Sequence, residues 1–140
     1  MTVTDLPPPR DLPPLLTDDD VADRVASLIG PAAKDRTLWL LFVDGDDRQA
    51  PVVMPVEDMP GLPDDLVPAL GKVLAGVLPD LTTAAGPGSV VFVRERLGPD
   101  DVIAADRAWA HALTTMCREF AIPVRGIHLS TPDRVQRMPH

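Results

Sequence analysis

The chain has 140 residues, one domain's worth, with 45% hydrophobic and 24% charged residues, a globular balance that argues against global disorder. Thirteen basic against twenty-one acidic residues leave a net charge of −8, which argues against nucleic acid or an anionic membrane as partner. The single Cys117 excludes an internal disulfide and a multi-cysteine zinc or iron–sulfur site, and no apolar run approaches the roughly 20 residues of a membrane span.

Residues 1–16, MTVTDLPPPRDLPPLL, hold five prolines, which forbid a helix and favour an extended polyproline-type arm. Such an arm can lie over the domain or serve as a ligand for an aromatic-lined groove. Thr17 reads as the N-cap of a first helix, followed by Asp18, Asp19 and Asp20 where negative charge is favoured. Val21, Val25, Leu28 and Ile29 form its apolar stripe, and Gly30-Pro31 stops it. The aspartate run therefore has a capping explanation that needs no metal.

Thr37 to Val43, TLWLLFV, reads as a buried strand, Asp44-Gly45-Asp46-Asp47 as a turn, and Gln49 to Val56 as the returning strand of a hairpin. Pro51 and Pro55 cannot donate to a ladder, which puts this second strand at an edge. A second helix starts at Asp64 or Asp65 and carries Leu66, Leu70, Val73, Leu74, Val77 and Leu78 up to Pro79. After Gly86-Pro87-Gly88, residues Ser89 to Val93 read as a third strand. Ala104 to Phe120 reads as a third helix with Ala105, Trp109, Ala112, Leu113, Met116 and Phe120 on one face. Val124 to Leu129 is a fourth strand, and the tail can add a strand at Val135–Met138 or fray.

These elements divide the chain into a Pro-rich arm (1–16), a single α/β domain (17–131) and a C-terminal tail (132–140). The order α-β-β-α-β-α-β describes a layered mixed β-sheet with helices, antiparallel at the hairpin and joined by right-handed crossovers afterwards. With no basic, apolar leader at the N-terminus, the expected setting is cytoplasmic.

Motifs for chemistry are sparse. Gly86-Pro87-Gly88 precedes a strand, where nucleotide-binding loops follow one, and the chain has neither a GxSxG elbow nor HExxH. Cys117 lies at the boundary of the third helix's apolar stripe, where a cysteine acts as a small hydrophobe. His111 lies about 200° around the helix from Trp109, facing solvent. His128 falls in the fourth strand as a core or pocket histidine, and His140 is terminal.

The segment VVFVRERLGPDDVIAADRAWAHAL, residues 90–113, has more content. Together with the element order it resembles the JAB/MPN domain in its RadC-like form, a cytidine-deaminase-like architecture, over roughly residues 36–131. In that family a strand runs into a His-x-His-Pro metal motif, a short Gly-Asp-Pro loop, and Ser-x-x-Asp at a helix start. Setting Asp106 on the family's aspartate puts Gly98 on the loop glycine, with Pro99, Asp100, Asp101 and Val102 filling the loop. Ile103 then stands at the serine, Val93 and Glu95 at the two histidines, and Arg96 at the proline. Downstream, Ala121-Ile122-Pro123-Val124 and Gly126-Ile127-His128-Leu129 are also similar.

The resemblance implies a zinc site of two histidines and an aspartate with an upstream glutamate as general base. Here only the aspartate position is kept, as Asp106, and Glu57 is the only glutamate before Glu95. The expectation is therefore a non-catalytic domain without cofactor or metal, with Val93, Arg94, Glu95, Arg96, Asp106 and His128 around a degenerate cleft. Arg94, Glu95 and Arg96 leave the strand as a solvated end, or the Arg94 and Arg96 pair grips an anionic ligand or plugs the site through Asp100, Asp101 or Asp106. Such a domain would act by binding another protein or itself, with Val52, Val53 and Met54 on the edge strand as the exposed surface. Two alternatives are a metal-dependent hydrolase rebuilt from Glu95, Asp106 and His128, and an adaptor working through the Pro-rich arm.

Overall fold

The computed structural model describes residues 12–139, so the greater part of the arm, residues 1–11, and His140 lie outside the described residues. Helix α1 (Asp18–Leu28) begins as its sequence dictates. Thr17 Oγ1 accepts the Asp20 N–H at 3.1 Å, and Asp20 Oδ2 accepts the N–H groups of Thr17 and Leu16 at 3.0 Å each. The Thr17 backbone N–H holds the Asp20 carboxyl below its ordinary value. Gly30, at φ +67°, turns the chain away behind it.

Strands β1 (Thr37–Val43) and β2 (Gln49–Val56) form the expected hairpin. Asp44 Oδ1 accepts the N–H of Asp46 at 2.9 Å and of Arg48 at 3.1 Å, which closes the turn. Helix α2 (Leu66–Val77) runs into a 3₁₀ turn at Leu78–Leu81 and is followed by β3 (Ser89–Glu95). Helix α3 (Ala104–Glu119) and β4 (Val124–Ser130) come next. A short β5 (Val135–Arg137) follows in the stretch read from sequence as tail.

The five strands form one mixed sheet in the order β2-β1-β3-β4-β5, with β3 parallel to β4 and the other pairs antiparallel. β2 lies at an edge, as its prolines require. Alternation along each strand sorts the side chains to two faces. Leu38, Leu40, Phe42, Val90, Phe92, Ile127 and Leu129 pack with α2 and α3, whereas Leu41, Val43, Val91 and Val93 pack with Val21 and Val25 of α1.

The structure also differs from the sequence reading at the end of the arm, in α2 and at the end of β3. The end of the arm is tied down: Leu15 is buried in the α1 core, and its N–H meets Asp47 O at 2.6 Å. Arg24 Nη2 also holds Pro13 O at 2.6 Å. In α2 the buried face is Val67, Leu70, Gly71 and Leu74, and Val73, expected in the apolar stripe, is 48% exposed. The third strand runs two residues further than Val93, taking in Arg94 and Glu95.

Candidate functional site

β3 is central, paired to β1 on one side and β4 on the other, so its last residues are enclosed. Arg94, Glu95 and Arg96 are 5%, 4% and 4% exposed, and Asp106 is 0% exposed. The solvated strand end is therefore absent. Charges this deep need partners, because an unpaired buried ion costs several kcal/mol, on the order of a whole domain's margin.

Arg94 and Arg96, two residues apart, share the face toward α3, and Asp106 rises from the first turn of α3 between them. Arg94 Nε donates to Asp106 Oδ1 at 2.9 Å. Arg96 grips the same carboxylate side-on, with Nε to Oδ1 at 2.8 Å and Nη2 to Oδ2 at 2.7 Å. The Ile103 N–H caps Oδ2 at 3.0 Å. A carboxylate has about four acceptor positions, and all of them are taken.

The remaining Arg96 donors hold the loop before α3. Nη1 meets Pro99 O at 2.8 Å and Leu97 O at 3.2 Å, and Nη2 meets Asp101 O at 2.9 Å. With the two bonds to Asp106, every N–H of this guanidinium is used. Gly98 within the loop has φ +106°, a conformation that suits glycine, and a Cβ there would stand 3.3 Å from Arg96 Nη1.

Burial pushes the Asp106 carboxyl up. The Arg96 guanidinium, the Ile103 N–H and Arg94 outweigh burial and hold it below its ordinary value of 3.8. The hydrogen bond to Asp106 in turn raises Arg96, which stays a cation.

The other expected cleft residues lie across the sheet. Val93 packs in the α1 core. Glu95 accepts Trp39 Nε1 at 2.9 Å, Ala33 N at 2.8 Å and Lys34 N at 3.1 Å, tethering the connection between α1 and β1. His128 is buried on the same side, in line with Gly126 and with Ser130, whose hydroxyl donates to Gly30 O at 2.7 Å. The six residues expected around one cleft are thus split three and three by the β-pleat. The rebuilt site of Glu95, Asp106 and His128 does not assemble, because Asp106 faces the opposite helix layer from the other two.

The same pleat bears on the family alignment. Val93 and Glu95, set on the two histidines, point away from Asp106, and the side chains that meet it are Arg94 and Arg96, one residue out of register. The residues do not fit a zinc ion: the aspartate is saturated by cations, and its two flanking side chains are guanidiniums. Among the described residues no three His, Cys, Asp or Glu side chains come together as a metal site. Of the acids expected to plug the site, Asp106 does so, while Asp101 contributes its carbonyl. Sequence reading missed the carbonyls of Leu97, Pro99 and Asp101. The only available signal was Gly98, which marks a tight loop beside a long cationic side chain.

Cys117 is buried in the α3 core, and burial pushes its thiol up to about 11, far from a nucleophile's range. Among the described residues no helix is long and apolar enough to cross a membrane. Comparison with models of known families, with curated proteins and with solved structures finds no match.

Proposed function

We propose that the chain is a non-catalytic, JAB/MPN-like domain that works by binding another protein. The Arg94–Asp106–Arg96 clamp carries this reading. It occupies the strand end and helix start where the resembled family holds zinc, and it leaves Asp106 no free acceptor. A one-residue deletion between the motif and the loop would set Arg94-x-Arg96 on the His-x-His positions with Gly98 and Asp106 kept in place. The element order, α-β-β-α-β-α-β with β5 added, supports the same assignment.

Cationic side chains at the ligand positions do more than remove a metal. They convert the catalytic loop of the resembled family into a fixed piece of surface, held by three backbone carbonyls on Arg96. A rigid loop suits recognition, because little ordering entropy is lost on binding. The proposal includes a cytoplasmic setting, in keeping with a buried, free Cys117.

The test is metal analysis after equilibrium dialysis against zinc and removal of loose ions. The expected result is far less than one zinc per chain, with no rise in the unfolding temperature. Stoichiometric zinc that is lost in Asp106→Asn would overturn the proposal.

A further inference from the structure

The outer face of α3 and the segment after β5 enclose a groove of about 590 Å³. Its floor is apolar, formed by Val102, Ala110, Met138 and Pro139. Along one wall stand Arg107, His111, Thr114 and Arg118, spaced i, i+4, i+7 and i+11, so they form a single stripe on the helix. Arg107, His111 and Arg118 are exposed, and among the described residues none of them is in an ion pair. Two exposed arginines along one wall stand out in a chain of net charge −8.

The groove is also built firmly. Arg107 Nη1 holds Val102 O at 2.8 Å, and Gln136 Nε2 bonds to Asp100 O, so the loop fixed by Arg96 supplies one end of it. Met138 N donates to Ile127 O at 2.8 Å, which ties the floor to the sheet.

The geometry points to this groove as the docking site of an extended acidic peptide, with carboxylates on Arg107 and Arg118 and an apolar side chain between them on the floor. Eleven helical residues separate the two arginines by roughly 16 Å along the axis. Five residues of extended peptide span about the same distance. Charge complementarity selects acidic residues, and the apolar floor selects a peptide over a bare anion. The inference names the partner chemistry of the binding role proposed above, but it does not depend on the family resemblance.

The probe is a fluorescein-labelled peptide with glutamates five residues apart and leucines between them, followed by fluorescence anisotropy with the intact chain. Saturable binding that weakens with salt is expected. Arg107→Ala and Arg118→Ala should each weaken it roughly fivefold, the upper range for an exposed ion pair. Thr114→Trp, which fills the groove, should abolish it while the unfolding temperature stays unchanged. No saturable binding, equal binding of the glutamine-substituted peptide, or indifference to all three substitutions would overturn the inference. So would a chain mass that doubles and returns to monomer in Arg118→Ala, since the occupant would then be a second copy. Stoichiometric zinc in the dialysis experiment would overturn the non-catalytic reading and leave this groove's peptide binding as it is.

Discussion

Removing the Asp106 carboxylate would leave two guanidiniums buried together with no anion between them. Breaking a buried ion pair from one side costs about 3–5 kcal/mol, whereas an exposed pair such as Lys34–Glu57 is worth at most about 1 kcal/mol. Asp106→Ala should therefore lower the urea-unfolding free energy by about 3–5 kcal/mol, and Glu57→Ala by less than about 1 kcal/mol. Equal effects would show that the clamp contributes nothing special. The depressed Asp106 carboxyl also sets a pH window. The unfolded chain binds the proton first as pH falls, so this contribution is full above about pH 4 and is lost as pH drops through the lower, folded-state value. Asp106→Asn should flatten the loss of stability below pH 4, measured by urea titration at several pH values. At Cys117, burial and a thiol raised to about 11 predict negligible alkylation by iodoacetamide at pH 8 in the native state and prompt alkylation in urea.

The elements follow local rules wherever local rules decide. Thr17 with Asp20, the Asp44 turn and the Trp109 face of α3 are complete signals within a few residues, and each was legible. The end of β3 was not, because a charged residue normally leaves a strand for water. Arg94 and Arg96 stay inside only because Asp106, ten and twelve residues on, comes back to meet them. Even so, the two-residue alternation already implied that Arg94 and Arg96 share one face and that Val93 and Glu95 share the other. Applied to the strand end, that rule rejects a single cleft without any coordinates. In α2 the sequence LVPALGKVLAGV is apolar on nearly every side, so periodicity could not choose Val67 over Val73. Gly71 marks the true contact face, since a Cβ there would stand 2.5 Å from the Phe120 ring and 3.0 Å from Met116 Sδ. Gly71→Ala should gain up to about 1 kcal/mol of helix propensity and lose about 1–3 kcal/mol to overpacking, a net destabilisation of about 1 kcal/mol in thermal or urea unfolding. A stabilised variant would show that the α2–α3 contact yields easily.

At the scale of the molecule, two surfaces compete for the binding role, the β2 edge and the α3 groove. An edge recruits another strand through unpaired N–H and C=O groups, and prolines are its usual safeguard. Pro55 lies opposite Trp39 in the β1–β2 ladder, and Pro51 lies between the Val53 and Gln49 pairs, where the register shifts. Prolines are accommodated in a ladder where the missing N–H would face away from the neighbouring strand, here β1. Neither Pro51 nor Pro55 has an N–H to offer a newcomer, and the shifted register between Gln49 and Val53 breaks the edge further. A second copy adding to β2 would forfeit most of its ladder, and the 48% exposed Val52 offers too little apolar area to compensate. The chain should therefore run as a monomer in light scattering from micromolar to near-millimolar concentration. Replacing both prolines with threonine restores two donors and a β-favouring side chain, so Pro51→Thr with Pro55→Thr should self-associate as concentration rises. If the parent chain already doubles its mass and Val52→Lys returns it to monomer, the edge is the interface, and the prolines guard nothing.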